Sequence, residues 1–250
     1  MGSIWSQTCS IGRRPPLRGH LKTQAAVVGA GMAGVLTAYA LQQAGLSVVV
    51  LEAGRIAGGQ TQNTTAKITS QHGLIYSRLI QSFGEETARR YAKANQDAVR
   101  AYQDLIDVQG ISCDWEERCA YLYGPDVTVL QEEAEAARRL GLPASFTREV
   151  SIPIPHDGAV CFEGQAQFHP LKFLKVLADQ LTIYEQSRVL TAEGDLLTTE
   201  LGSVQAEHIV FACHFPFVNF PGMYFARMHQ ERSYVLALQG APPVDGMFLG

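Results

Sequence analysis

Apolar positions along the chain change their spacing several times, and each change predicts an element. "TQAAVVGAG", Thr23 to Gly31, is a short uninterrupted apolar run ending in glycine, the mark of a strand buried on both faces. "MAGVLTAYALQQAG" follows with helical spacing, clustering Val35, Leu36, Tyr39, Ala40 and Leu41, and Gly45 stops it as a C-terminal cap. "LSVVVLE" is then a second buried strand, which completes a βαβ unit whose strands pair in parallel through a right-handed crossover. Further on, "EETARRYAKANQDAVRAYQDLIDVQG" predicts a long amphipathic helix ended by Gly110, with Tyr91, Ala94, Ala98, Tyr102, Leu105 and Ile106 along its core face. "ISCDWEERCAYLYG" alternates as a strand, and "VTVLQEEAEAARRLGLP" reads as a strand end followed by a helix. "SIPIPHDGAVCFEGQAQFHP" reads as extended, with Pro153 and Pro155 suiting an edge or a crossover. "PLKFLKVLADQL" is a helix with Pro170 in its first turn. "RVLTAEGDLLTTELGSVQAEHIVFAC" predicts a small antiparallel meander turning at Gly194 and Gly202, then a buried strand. The first 22 residues read as an irregular arm.

Composition narrows the class. The 250 residues allow one large domain or two small ones, and 46% hydrophobic with 18% charged residues is a globular balance. A net charge of −4, with no basic block longer than Arg13-Arg14 or Arg89-Arg90, gives no reason to expect nucleic acid or a membrane surface as partner. No apolar window reaches the length of a membrane span. The arginine pair near the start is not followed by an apolar run, as an export signal requires. Met1-Gly2 with Ser6 fits a loose myristoylation pattern, but nothing else points to an anchor. Cys9, Cys113, Cys119, Cys161 and Cys213 are odd in number and contain no C-x-x-C, so reduced thiols in a cytoplasmic protein are expected, with no metal site.

The chemistry concentrates at the first turn. Gly29, Gly31 and Gly34 form G-x-G-x-x-G between the first strand and its helix. Gly29 permits the tight turn, Gly31 lets backbone approach a pyrophosphate, and Gly34 lets helix and strand pack closely. The helix N-terminus offers N–H groups and partial positive charge to the phosphates. Glu52 ends the second strand, where an acid about 20 residues past the glycines accepts the ribose hydroxyls and repels a 2′-phosphate. These features predict dinucleotide binding and leave NAD and FAD undecided. The following stretch, "AGRIAGGQTQNTTAKITSQHGLIYSRLIQSFG", separates them. It is a second glycine and hydroxyl cluster opening another helix, superfluous for NAD but suited to the longer FAD. By composition alone the same residues also suit an ordinary loop and helix cap. An NAD-dependent dehydrogenase lacks support as well, because no second βαβ half follows the first.

Taken together, these two stretches resemble FAD-dependent oxidoreductases of the D-amino-acid oxidase superfamily, which includes the glycine and sarcosine oxidases. "NTTAKITSQHGLIY" is similar to the branch often fused to a C-terminal Rieske domain, with further matches in "GQAQFHPLKFLKVLA", "IYEQSRVL", "HIVFACHFPF" and "PGMYFARMHQERSYVLAL". The resemblance implies an α/β fold: a Rossmann-like FAD-binding domain interleaved with an α+β substrate domain built on an antiparallel sheet, incomplete at the C-terminus. The expected segments are an arm over 1–22, FAD-binding segments over 23–110 and 161–218, and substrate-domain segments over 111–160 and 219–250. It also implies that Gly29, Ala30, Gly31, Met32, Ala33 and Gly34 hold the pyrophosphate and that Glu52 and Ala53 hold the ribose end. Gly58, Gly59, Gln60 and Thr61, with Thr64, Thr65, Ala66 and Lys67, match the loop running toward the flavin. Val189 matches a strand residue touching adenine, and Ala212 and Cys213 match the chain's return beside the cofactor. Asn63 stands where the Rieske-linked branch has histidine.

The reaction implied is hydride transfer from an amine, amino acid or related small molecule to flavin, with oxygen or an iron–sulfur partner accepting the electrons. Arg227 is the candidate for gripping a substrate carboxylate; the alternative for it is a surface ion pair with Glu231 or another acid. No general base stands out: His72 and His169 read more readily as capping or packing residues than as proton carriers. The alternative to an active oxidoreductase is a truncated dinucleotide-binding remnant without turnover.

Overall fold

The computed structural model describes residues 2–215, 217–219, 222–241 and 244–250. In chain order its first elements are α1 (Ile4–Thr8), β1 (Gly19–Val28), α2 (Met32–Gln43), β2 (Val48–Leu51) and β3 (Lys67–Ile68). Then come α3 (Tyr76–Phe83), α4 (Glu85–Gln109), β4 (Glu116–Gly124), α5 (Val127–Arg139), β5 (Ala144–Thr147) and β6 (Gly158–Gln167). The last are α6 (Pro170–Ala178), β7 (Thr182–Tyr184), β8 (Thr191–Glu193), β9 (Leu196–Thr198), β10 (Gly202–Phe211) and β11 (Met247–Leu249). They form two compact units, residues 1–65 with 170–237 and residues 66–169 with 238–250.

The first unit is a six-stranded sheet in the order β7-β2-β1-β10-β9-β8. Its first four strands run parallel, and β9 and β8 add an antiparallel meander. Ala25 to Val28 and Val48 to Val50 are buried among parallel neighbours, as their unbroken apolar runs require. Alternation sends Ala26 and Val28 into a core with Val49, Leu51, Val189, Leu197 and Val204. Helix α2 packs on β1 and β2 and against α6. Pro170 opens α6, whose Leu171, Phe173, Leu174 and Leu177 are buried.

The second unit carries a sheet in the order β11-β4-β6-β3, with β5 also pairing β6. Helices α3 and α5 pack on one face of it, around Tyr76, Leu122, Leu130, Val160, Phe162 and Met247. One carboxylate organises this core. Glu133 of α5 is buried, and its oxygens accept the N–H groups of Ile75 (2.9 Å), Tyr76 (2.7 Å) and Ser77 (2.9 Å) at the start of α3. These are orphan donors of a helix N-terminus, and an anion there also opposes the helix dipole. Glu133→Ala is therefore expected to lower the unfolding free energy by about 2 kcal/mol in urea titrations, and Glu133→Gln by less. An unchanged midpoint in both variants would mean that water satisfies those donors.

Several expectations need correction. The arm is not wholly irregular: Ser3 caps α1 by accepting the Ser6 N–H, and β1 begins at Gly19 because His20 and Leu21 already pair with Ser203 and Val204 of β10. Asp126 accepts the Val129 N–H and starts α5 at Val127, so the residues expected as a strand end belong to the helix. In α4 the buried residues are Ala88, Ala92, Val99 and Ile106, while Tyr91, Ala94 and Ala98 are exposed. Strand β10 is only half buried, since Glu207, His208 and Phe211 face outward. The expected boundaries at 110/111 and 160/161 differ from those observed at 65/66 and 169/170, because α4 packs with α3 and β6 pairs with β4 inside the second unit. The expected crossing at 218/219 compares with an observed division at 237/238; Phe220 lies outside the described residues.

Candidate functional site

The strand-to-helix turn after β1 is held by its own backbone. Gly29 has φ +108° and donates its N–H to the Leu51 carbonyl at 2.8 Å. A Cβ at Gly29 would lie 2.6 Å from the Ala212 carbonyl oxygen, so the chain leaving β10 closes directly over the turn. A Cβ at Gly34 would strike the Gly29 carbonyl. Gly29 and Gly34 are thus required by the fold itself. Gly31 differs: a Cβ there would meet only Thr61 Oγ1, at 3.3 Å. It is the N-cap of α2, and having no side chain it leaves the helix start open.

Two side chains finish this cradle. Thr61, in the 3-10 turn Gln60–Asn63, accepts the Met32 N–H on Oγ1 at 2.9 Å. Glu52 accepts the Ala30 N–H at 2.8 Å on one oxygen and the Gly54 N–H at 2.7 Å on the other. Its carboxylate is therefore fixed in direction, while each oxygen keeps a lone pair for a further donor such as a ribose hydroxyl. The helix N-terminus, bare Gly31 and oriented Glu52 fit the pyrophosphate and ribose of a dinucleotide.

The remaining predicted residues divide. Ala30 is buried, and its carbonyl accepts the Ala57 N–H at 2.9 Å, tying the turn to the 55–57 segment. Ala33, Ala53, Gly58, Gly59 and Gln60 are exposed around the cradle, and Ala212 donates to the Val28 carbonyl at 2.8 Å. Burial raises the Cys213 thiol above its ordinary range. The Thr64 carbonyl accepts the Trp5 indole N–H at 2.8 Å, and Thr65 is exposed. Ala66 (φ +60°) and Lys67 belong to the second unit, where the Lys67 ammonium donates to the Phe248 carbonyl at 2.8 Å and partial burial lowers its pKa. Val189 is buried, but in the connection between β7 and β8 rather than within a strand. The hydroxyl cluster does not open a helix directly; β3 intervenes before α3. Arg227 follows the 3-10 turn Tyr224–Ala226 and is exposed, and Glu231 pairs with His229 at 3.0 Å instead. His72 is exposed and meets Asn95 at 3.2 Å, whereas His169 is buried with its backbone N–H on the Cys113 carbonyl.

Glu185, just past β7, is a residue that the sequence reading did not single out. It is 1% exposed and accepts the N–H groups of Ile56 (2.8 Å) and Arg14 (3.0 Å) and the Arg55 guanidinium. Its signal was position: like Glu52, it is an acid closing a short apolar run.

The family model for FAD-dependent oxidoreductases matches residues 24–248. The chain belongs to that family. Its cofactor is accordingly FAD. A Bacillus subtilis protein described as a Rieske 2Fe-2S iron–sulfur protein is 35% identical over 262 aligned positions, covering 99% of this chain and 51% of the relative. The gamma-glutamylputrescine oxidoreductase of Escherichia coli is 26% identical over 74% of this chain and 47% of its own length. The L-amino acid deaminase of Proteus myxofaciens, solved in complex with anthranilate, shares the fold with a TM-score of 0.66 at 20% identity, over 85% of this chain and 49% of that one. The chain spans about half the length of these relatives. Among the described residues no helix is long and apolar enough to cross a membrane, and no group of three or more His, Cys, Asp and Glu is placed to hold a metal ion.

Proposed function

We propose that this chain carries the FAD site of an oxidoreductase acting on a small amine or amino acid. The carrying observation is the cradle of Gly29, Gly31, Gly34, Thr61 and Glu52 inside a chain that matches the family over residues 24–248. In this reading the first unit holds the cofactor and the second contributes to substrate binding. Bound FAD supplies hydride acceptance at its ring. The chain's own part is placement. The first turn of α2 receives the pyrophosphate over Gly31, with Ala30, Met32 and Ala33 beside it. Glu52, oriented by the Ala30 and Gly54 N–H groups, takes the ribose hydroxyls, with Ala53 next to it. Gly58 to Thr61, with Thr64 and Thr65, extend the contact toward the ring, Val189 lies at the adenine, and Ala212 and Cys213 close over the turn. Arg227 receives a substrate carboxylate. The relatives named above support the amine or amino-acid class, and the Rieske-named one supports an iron–sulfur centre as electron acceptor, with oxygen as the alternative. The five free cysteines support a reducing, cytoplasmic setting.

The purified chain, mixed with FAD and passed through a desalting column, is expected to retain a flavin absorption band and to release FAD on denaturation. A folded chain that stays colourless in excess FAD would refute the reading.

A further inference from the structure

We propose that Cys119 and Cys161 form a dithiol that hydroperoxides oxidise to a disulfide. The proposal rests on the placement of the two thiols and is independent of flavin binding. Strands β4 and β6 are antiparallel, with Tyr121 opposite Cys161. The ladder lapses between the pairs Arg118↔Gln165 and Ala120↔Phe162, which leaves Cys119 opposite two residues, Glu163 and Gly164. Gly164 takes φ +61°, the left-handed conformation typical of such a bulge. Alternation puts Cys119 and Tyr121 on one face of β4, and Cys161, opposite Tyr121, on the same face of the sheet. The other face carries Ala120, Leu122, Val160 and Phe162 and is covered by the helical core. Cys119 is thus the diagonal neighbour of Cys161 across the two strands, with Tyr121 directly opposite Cys161. Among the described residues they are the two cysteines that adjacent strands bring together.

The pair is asymmetric in a way that assigns roles. Cys161 is buried, and burial, followed by the neighbouring Cys119 sulfur, pushes its thiol up to about 11. It keeps its proton until the second step. Cys119 is half-buried and open to a small oxidant. In the first step the Cys119 thiolate attacks one peroxide oxygen. An S–O bond forms, the O–O bond breaks, and the departing hydroxide takes a proton to leave as water. In the second step the Cys161 sulfur attacks Cys119; an S–S bond forms, the S–O bond breaks, and a second water leaves with the Cys161 proton. Two thiols lose two hydrogens and one peroxide becomes two waters. Closure requires the two Cα atoms to come within about 7 Å, and the interrupted ladder at the bulge is where the backbone can yield. The cross-link would enclose α5 and β5 and restrict the unfolded chain.

The test treats the reduced full chain with one equivalent of hydrogen peroxide, alkylates the remaining thiols in urea, and reads intact mass and a peptide map. The expected result is loss of two hydrogens, a peptide joining Cys119 to Cys161, and a thermal midpoint raised by several degrees that dithiothreitol reverses. Cys161→Ser should strand Cys119 as a sulfenic acid captured by dimedone, and Cys119→Ser should abolish both products. Absence of the joined peptide, faster oxidation at Cys9, Cys113 or Cys213, or a Cys161→Ser variant unreactive toward dimedone would each overturn the assignment.

Discussion

Gly34→Ala is expected to destabilise the first unit by about 3–5 kcal/mol, enough to leave much of it unfolded and unable to take up FAD. The new methyl would overlap the Gly29 carbonyl, and neither partner has room to retreat. Gly29 is held through its N–H on the Leu51 carbonyl, and on its other side the Ala212 carbonyl lies 2.6 Å from where a Cβ would stand. Relief would therefore lift α2 off β1. Gly31→Ala makes the contrast. Its methyl meets only the Thr61 hydroxyl at 3.3 Å, so the cost is the poorer N-cap, about 1 kcal/mol. The same methyl occupies the approach to the helix N-terminus, where the pyrophosphate needs bare backbone, and FAD affinity is expected to fall at least ~10-fold, a loss of about 1.4 kcal/mol. Urea titrations followed by flavin fluorescence separate the two. Wild-type stability in Gly34→Ala would mean that helix and strand are less tightly joined than their geometry implies. Unchanged FAD affinity in Gly31→Ala would move the pyrophosphate away from this turn.

The βαβ unit was legible because its constraints are local. A glycine that must avoid a carbonyl five residues away, as Gly34 avoids that of Gly29, leaves its trace in the same short stretch of chain, and so does the acid that ends the next strand. The face of α4 was not legible, for a reason visible in its composition. Ala88 and Ala92 lie on one side and Ala94, Ala98 and Ala101 on another, so small apolar residues mark two faces equally. Packing with α3 chose the first and left Tyr91 exposed. That choice also carried the helix into the second unit, which no spacing within the helix could announce. Glu133 did leave a signal. Leu130, Glu133, Ala134 and Ala137 recur at helical spacing, which puts an acid on a buried stripe, and a buried acid requires donors. Those donors come from Ile75 to Ser77, far away in sequence, so the need was readable but its partner was not. Within the candidate site, Gly29, Gly31, Gly34, Glu52 and Thr61 lie around one turn, whereas Ala66 and Lys67 fold with the other unit.

Glu185→Ala is expected to cost about 3–4 kcal/mol and to weaken FAD binding several-fold, although Glu185 belongs to the layer behind the cradle. Strands β2 and β7 are parallel with Leu51 opposite Tyr184, so Glu52 and Glu185 leave the sheet side by side. Glu52 orients the ligand-facing loop; Glu185 holds the loop behind it. Its removal deprives the Ile56 and Arg14 N–H groups of their acceptor and leaves the Arg55 guanidinium with its bond to the Ile11 carbonyl at 2.7 Å. Arg55 is partly exposed, so water recovers some of its loss, whereas Ile56 is buried and its donor has no such recourse. The effect reaches FAD through one bond in particular: the Ala57 N–H on the Ala30 carbonyl couples the 55–57 segment to the pyrophosphate turn. Glu185→Gln keeps one acceptor oxygen but turns an amide NH₂ toward other donors, so its loss should fall between wild type and Glu185→Ala. Urea midpoints and flavin titrations of the three proteins give that order directly. Equal losses in both variants would assign the effect to the carboxylate's charge rather than to its number of acceptors. Unaltered stability with unaltered FAD affinity would mean that the arm and the 55–57 segment hold the cradle without Glu185.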